Sequence, residues 1–257
     1  MDLAEVIKGF NRPKKIGVCT AWGSPFTWTH AAYNMANLIR PEGVEVMYFP
    51  GFGRDPARRH MWGIEHALEW GASHVCFLGA DQMHDLDILV KFCRHFENGW
   101  PMVTALVPIR GWVAKSGAMK PFQRVAWKIK DELKENGLVD IKFDQSLLEM
   151  IDPNAAELQE VHVVGSGALM FDVALLDNLS KPWFREAKAD DFGNRPATMD
   201  TTFCWRMITE AGGRLLADCS IKVYHLDVFP IDDSYGDRFS DWPTKEKDEP
   251  IVERLTS

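Results

Sequence analysis

Short apolar runs alternate with stretches of helical periodicity in the first half of the chain. The apolar runs predict four β-strands, over residues 15–20, 44–50, 74–78 and 102–108. Helices are predicted between them, over residues 29–39, 56–70 and 86–96. Gly71 directly follows the second helix, where glycine commonly ends a helix. This alternation predicts an α/β fold with a doubly wound, mostly parallel sheet and helices on both faces, as in Rossmann-like proteins.

The second half of the chain is less regular. Residues 110–152 are rich in Lys, Glu and Gly, and we interpret them as an insertion or flexible loop with a helix over 122–136. Beyond this segment the pattern predicts further elements: a strand over 161–172 interrupted by Gly-Ser-Gly, a short helix ending near Leu179, a helix over 201–211 and a last strand over 221–226. The polar, acidic tail from Asp232 onward is expected to be loosely ordered.

Composition narrows the class of protein. The 257 residues, 46% hydrophobic and 26% charged, suit a globular chain, which we interpret as one domain over residues 1–257. The sequence shows no membrane-spanning apolar run and no secretion signal. A net charge of −8 argues against a nucleic-acid binder. The five cysteines form no CxxC pair, which favours buried free thiols and a cytoplasmic location.

The third apolar run ends directly in acidic residues, in the stretch FLGADQMHD. The carboxyl ends of strands form the edge at which α/β sheets bind ligands. Asp81, at the strand tip, could therefore hold Mg²⁺ or Mn²⁺ through its carboxylate oxygens. We interpret Asp85 instead as a cap for the helix that begins near Leu86.

Four other features each have a structural and a functional interpretation. His225 ends the last strand and is either a structural histidine or a metal ligand. The Gly165-Ser166-Gly167 interruption is either a bulge or a place where a ligand approaches the backbone. Asp200 is either a helix cap or a general base. Arg58 lies in a first helical turn, where the helix dipole disfavours a cation, and this suggests that it pairs with an anion.

Four stretches, taken in order, resemble nucleotide-sugar-dependent glycosyltransferases of the GT-A fold, close to the family-2-like enzymes of bacteria and phages. They are DPARRHMWGIEHALEWGASHVCFLGAD, HVVGSGALMFDVALLDNLSKPWF, MDTTFCWRMITEAGG and CSIKVYHL. The resemblance covers residues 15–226. It implies a nucleotide-sugar-binding half over about 15–108, an acceptor and catalytic half over about 160–228, and a polar tail over 229–257.

The resemblance implies a donor site in the first half. Asp81, preceded by Ala80, would be the last acid of an Asp-x-Asp motif and would hold Mn²⁺ or Mg²⁺ on the donor diphosphate, with His225 as a further ligand. The first nucleotide-binding loop would run from Thr20 through Ala21 and Trp22 to Ser24. Arg58 would lie near the nucleotide, which the resemblance implies to be part of a UDP- or GDP-sugar.

The resemblance also implies an acceptor side in the second half. Gly165 and Gly167 would leave room for donor sugar and acceptor, and Trp183 would line the acceptor side. Asp200 would be the catalytic base of a transfer that inverts the anomeric centre. The acceptor is left undefined and could be a glycan, a lipid-linked sugar, a protein, a small molecule or a modified nucleic-acid base.

Two positions depart from the family pattern. Gly79 stands where the first acid of Asp-x-Asp is expected, and Met199 stands where a Glu precedes the catalytic Asp. Two alternatives therefore stay open. One is a nucleotidyltransferase, although its phosphate loop rich in glycine and lysine is missing. The other is a non-catalytic protein of the same fold that binds a sugar nucleotide or glycan.

Overall fold

The structure, a computed structural model, describes residues 12–22, 28–52, 55–108, 126–130, 148–185, 198–226 and 230–231. The strands are β1 Lys15–Trp22, β2 Glu45–Phe52, β3 His74–Leu78, β4 Gln82–His84, β5 Met102–Ala105, β6 Ala126–Ile129, β7 Leu148–Met150, β8 Leu158–Val161, β9 Val163–Val164, β10 Ala168–Asp172, β11 Leu215–Asp218, β12 Val223–Leu226 and β13 Pro230–Ile231. The helices are α1 Thr29–Ala36, α2 Pro56–Glu69, α3 Ile88–Glu97 and α4 Met199–Thr209, with a 3₁₀ helix over Val173–Asn178.

A seven-stranded sheet in the order β2-β1-β3-β10-β5-β11-β8 forms the centre of the molecule. Strands β2, β1 and β3 pair in parallel, and β5 and β11 are parallel to each other. Strand β10 is antiparallel to both β3 and β5, and β8 is antiparallel to β11. Five strands therefore share one direction, which confirms the predicted mostly parallel α/β sheet.

The central sheet buries a hydrophobic core on each face. Along β3, Val75 and Phe77 belong to one core and Cys76 and Leu78 to the other, as the two-residue period of a strand requires. Residues of α2 and α4 contribute to the first core, and residues of α1 and α3 to the second. Helices thus cover both faces, as predicted. All five cysteines are free and buried, also as predicted.

The limits of α2 follow from its sequence. The Asp55 side chain accepts hydrogen bonds from the backbone N–H groups of Ala57 and Arg58, and Pro56 occupies the first turn, where its missing N–H has no cost. Gly71 has a φ of +83°, a conformation that favours glycine and ends the helix. The helix lies within one residue of its prediction.

Two predictions in the second half are wrong in part. The helix expected over 122–136 is replaced in its described portion by β6, because antiparallel pairing with β7 and β9 satisfies that backbone. The strand expected over 161–172 divides between two sheets: β9 pairs with β6, whereas β10 enters the central sheet. The short helix and α4 lie close to their predicted positions. The tail from Asp232 lies outside the described residues.

The last strand, β12, does not join the central sheet. It pairs with β13 on one side and with β4 on the other, so that Val223 faces His84 and His225 faces Gln82. The sequence pattern missed β4, which has only three residues. Its pairing with β12 places the last strand beside the segment that follows β3.

Candidate functional site

The predicted nucleotide-binding residues of β1 lie at one edge of the sheet. Thr20, Ala21 and Trp22 form the carboxyl end of β1. Strands β1 and β3 are parallel neighbours with Cys19 opposite Phe77, so both strands end at the same edge. Asp81 follows β3 there. The remainder of the predicted loop, to Ser24, lies outside the described residues.

Asp81 and His225 meet at this edge. The His225 Nε2 lies 3.2 Å from the Asp81 Oδ2. The Leu226 N–H also donates to the Asp81 backbone carbonyl at 2.7 Å, which extends the contact between the two segments. The structure thus brings together the two residues that the sequence predicted as metal ligands.

The other ring nitrogen of His225 determines what Nε2 can do. Nδ1 lies 2.9 Å from the Pro108 carbonyl oxygen, which can only accept a hydrogen bond, so Nδ1 carries a proton. In the neutral ring, Nε2 then presents its lone pair towards the Asp81 carboxylate. Two lone-pair donors facing each other need a cation or a proton between them. A carbonyl bond that orients a histidine in this way is common behind metal ligands.

The spacing of this pair fits a divalent cation. Metal–ligand distances of about 2.0–2.2 Å put adjacent ligands of one cation roughly 3 Å apart, close to the distance in this structure. Among the described residues, no group of three or more His, Cys, Asp or Glu side chains could enclose a metal. Asp81 and His225 could hold Mg²⁺ or Mn²⁺ only together with further ligands, such as substrate phosphates and water.

Gln82 fills the place where the first acid of the motif was expected. A Cβ at Gly79 would collide with the amide group of Gln82, and so would a Cβ at Gly167. The buried amide thus lies between two glycines. The backbone closes this arrangement, because the Gly79 N–H donates to the Gly167 carbonyl at 2.8 Å.

This packing changes the interpretation of Gly167 but not that of Gly165. Gly167 makes room for Gln82, whereas the sequence analysis assigned that room to the sugar and acceptor. Gly165 differs, since a Cβ there would meet only the Asp200 Oδ2, at 3.8 Å, an ordinary contact distance. Gly165 therefore stays a candidate for close approach by a ligand.

Asp200 does not cap its helix. The N-cap of α4 is Thr198, and Asp200 is the second residue of the helix. The Ser166 N–H donates to the Asp200 Oδ2 at 3.3 Å. The side chain therefore faces the turn over residues 165–167, which also contacts Gly79 at the end of β3. This leaves the general-base interpretation of Asp200 in place.

His60 completes this side of the site, and the sequence analysis missed it. Its Nε2 lies 3.0 Å from the Ser166 Oγ, and its ring is buried between Phe77 and Phe184. Burial lowers the pKa of His60. The only sequence signal was a histidine within the quoted Arg-containing helix, with nothing to indicate which side of the helix faces the site.

Arg58 and Asp85, the two other charged candidates, lie apart from this group. Arg58 lies at the start of α2 with its side chain almost fully exposed, 3.6 Å from the Asp55 carboxylate. Asp85 does not cap α3 with its side chain, which instead accepts hydrogen bonds from Lys91 at 2.8 Å and from the Lys222 N–H at 3.1 Å. The N-cap position of α3 belongs to Asp87.

Trp183 does not join the group around Asp81. It lines a cavity of about 300 Å³ together with Ser73 and Asp172, which lie at the amino end of β3. Asp81 follows the opposite end of that strand. The carbonyl of Trp183 instead accepts a hydrogen bond from Arg206, a buried residue of α4. Its predicted role beside the acceptor is therefore not supported by its position.

The chain was compared with known sequences and structures. No family model matches it, and no curated protein is similar enough to match it. The crystal structure of GalNAc-T7 with UDP, GalNAc and Mn²⁺ matches 85% of this chain with a TM-score of 0.50 and 10% identity. This chain spans 45% of that chain.

The fold is of the GT-A type. Two further solved structures are similar at lower TM-scores. A197 from STIV matches with a TM-score of 0.48 and 15% identity, covering 86% of this chain and 87% of that chain. Apo UDP-glucose pyrophosphorylase matches with a TM-score of 0.38 and 12% identity, covering 72% of this chain and 59% of that chain. At such identities the GT-A likeness concerns the fold alone.

The helices that the structure describes were also compared with the dimensions of a bilayer. None of them combines the length and the apolar character that crossing a membrane requires.

Proposed function

We propose that this protein is a metal-assisted glycosyltransferase that moves a sugar from a UDP- or GDP-linked donor to an acceptor hydroxyl. The observation that carries the proposal is the 3.2 Å approach of His225 to Asp81 at the carboxyl edge of the GT-A sheet. The diphosphate of a nucleotide-sugar donor would supply the further oxygen ligands that a cation held by only two protein side chains needs.

The donor side is assigned to the residues at the ends of β1 and β3. Asp81 and His225 would hold Mn²⁺ or Mg²⁺, which would neutralise the negative charge that develops on the departing nucleoside diphosphate. Thr20, Ala21 and Trp22 would line the nucleotide site from β1, with Ala80 beside the metal ligand. Arg58 is exposed, and its guanidinium could exchange the weak pairing with Asp55 for a donor phosphate.

The acceptor side is assigned to Asp200 and the turn over residues 165–167. The Asp200 carboxylate would take the proton of the acceptor hydroxyl as its oxygen attacks the anomeric carbon. One bond forms between that oxygen and the carbon, and the bond from the carbon to the diphosphate oxygen breaks. A single displacement of this kind inverts the anomeric centre.

The experiment is a turnover assay on a panel of UDP- and GDP-sugars with Mn²⁺, in which release of the nucleoside diphosphate is measured. Water can serve as the acceptor when no other is present. We expect turnover by the wild type and a fall of about 100-fold or more in Asp200→Asn, in line with the usual contribution of a general base. Asp177→Asn is the matched control, because Asp177 lines the cavity at the amino end of the sheet.

The outcomes separate an enzyme from a binding protein. Donor binding without any turnover by the wild type would rule out the transferase and favour the non-catalytic alternative. Transfer of a nucleotidyl group instead of a sugar, visible as a pyrophosphate-dependent reaction, would favour the nucleotidyltransferase.

A further inference from the structure

We infer that His60 and Ser166 are positioning residues that hold the Asp200 carboxylate in its working orientation. The inference rests on the proposed function, in which Asp200 is the base. Neither residue is expected to exchange protons with the substrate. The buried ring of His60 accepts a hydrogen bond from the hydroxyl of Ser166 and so fixes that residue. The backbone N–H of Ser166 in turn donates a hydrogen bond to Asp200.

The first link is fixed by the tautomer of His60. Its Nδ1 lies 2.8 Å from the Pro56 carbonyl oxygen, so Nδ1 must carry the proton. In the neutral ring, Nε2 is then an acceptor. The Ser166 Oγ lies 3.0 Å from it and is the donor of that hydrogen bond.

The surroundings keep the ring neutral and in place. The His60 ring stacks on Phe184, with centroids 4.7 Å apart, and meets Phe77 edge-on at 4.9 Å. Only 7% of the residue is exposed. This burial lowers the pKa of His60 and disfavours the imidazolium form. A rigid, neutral acceptor is therefore available to the Ser166 hydroxyl.

The second link passes through the backbone of Ser166. Its N–H donates to the Asp200 Oδ2 at 3.3 Å. Because the hydroxyl is anchored to His60, rotation of the turn that carries this N–H away from the carboxylate would strain or break the partly buried hydrogen bond to the His60 ring. Oδ1 makes no hydrogen bond to any residue that the structure describes, and it is the oxygen available to an acceptor hydroxyl.

The arrangement predicts a specific kinetic defect. Loss of the anchor leaves the donor site intact but lets Asp200 sample unproductive orientations, and displacements of about 1 Å can lower a rate by roughly 100-fold. The variants are Ser166→Ala, which removes the hydroxyl, and His60→Phe, which keeps a stacking ring but removes the acceptor. Thr209→Ala is the control, because it removes a buried hydroxyl bonded to the Trp205 carbonyl near the other end of α4.

Two quantities are measured for each variant: KM for the donor, and kcat per binding-competent molecule. The number of binding-competent molecules is taken from the stoichiometry of Mn²⁺-dependent UDP binding. A purely structural role would lower the number of binding-competent molecules but not the turnover of each. We expect each single variant to lose about 10-fold or more in normalised kcat with KM within twofold of wild type. The double variant should be no slower than the worse single variant, because both changes break one chain of contacts.

Several outcomes would overturn the inference. They are a normalised kcat within twofold of wild type in Ser166→Ala, a change confined to KM, or effects that multiply in the double variant. If the wild type turns over no sugar nucleotide, the proposed function fails instead. The chain of contacts is then still tested by ¹⁵N NMR of the imidazoles, where His60 should show the Nδ1-protonated neutral form and an altered Nε2 signal in Ser166→Ala.

Discussion

His225 Nε2 lies 3.2 Å from Asp81 Oδ2, although 144 positions separate the two residues in the chain. The pairing of β12 with β4 creates this proximity, because it sets the last strand beside the residues that follow β3. The proton on His225 Nδ1, bonded to the Pro108 carbonyl, then leaves the Nε2 lone pair directed at the carboxylate. Either a proton on Nε2 or a cation between the two groups satisfies both.

Removal of either proposed ligand should abolish metal-dependent nucleotide binding. We expect UDP or GDP with Mn²⁺ to raise the melting temperature of the wild type, since a ligand that binds only the native state stabilises it. In Asp81→Ala and His225→Ala this shift should be lost. Asp87→Asn is the control, because Asp87 pairs with Lys91 at the start of α3. A shift of wild-type size in Asp81→Ala would contradict the metal assignment.

Restoring the missing acid of the motif should destabilise the protein. A side chain in Gly79→Asp would collide with Gln82, and Gly167 closes the other side of that amide. Overpacking of this kind costs about 1–3 kcal/mol of unfolding free energy, which chemical denaturation would measure. The double variant Gly79→Asp/Gln82→Ala should recover part of that loss. An additive loss in the double variant would show that Gln82 is not the obstacle.

The stability of the fold should fall on acidification, in part because of His74. This residue is fully buried, and burial lowers its pKa to about 3 from an ordinary 6.5. Between those two values the unfolded chain binds a proton that the folded chain does not. The free energy of unfolding should therefore rise with pH in this window, by up to about 1.4 kcal/mol per unit from His74, and level off above 6.5.

Replacement of His74 tests that slope. In His74→Phe the dependence of the unfolding free energy on pH between about 3 and 6.5 should be shallower than in the wild type. An aromatic ring can keep the edge-on contact with Phe96, whose centroid lies 4.5 Å away. Equal slopes in wild type and His74→Phe would contradict the prediction.

The buried guanidinium of Arg206 should matter more for stability than an exposed one. It donates to the carbonyls of Ser180, Pro182 and Trp183 and pairs with Glu210, with only 2% of the residue exposed. Arg206→Met should cost about 1.5–3 kcal/mol in unfolding free energy, because it removes the charge-assisted hydrogen bonds of a buried guanidinium, including the buried one to the Trp183 carbonyl.

A matched surface pair provides the comparison for Arg206. Arg214 makes two hydrogen bonds to Glu160 at 2.9 Å but is partly exposed. Its replacement by Met should cost about 1 kcal/mol or less, measured by the same denaturation. Similar losses of unfolding free energy in the two variants would show that burial of the guanidinium does not determine its contribution to stability.

The sequence was informative where a local pattern determines the structure. The βαβ alternation predicted the parallel strands, and the position of Asp81 after a buried strand predicted that it would lie at the ligand-binding edge. The position of His225 beside Asp81 followed only from the resemblance, because nothing local indicates that β12 leaves the central sheet.

Other features depend on contacts between distant segments. Gln82 fills the space beside Gly79 because Gly167, 85 positions after Gln82, lacks a side chain as well. His60 meets Ser166 across 106 positions, and no periodicity in either segment indicates this contact. Strand β6 was predicted as a helix because its pairing partners lie far from it in the chain.

The position of β10 has a consequence for how the protein can be divided. This strand comes from the second half of the chain but lies between β3 and β5 of the first half. A fragment ending at residue 108 would expose the facing edges of both strands, with unpaired N–H and C=O groups in the middle of the sheet. The first and second halves of the chain are therefore not separable modules, because the central sheet of the first half is continuous only when β10 of the second half is present.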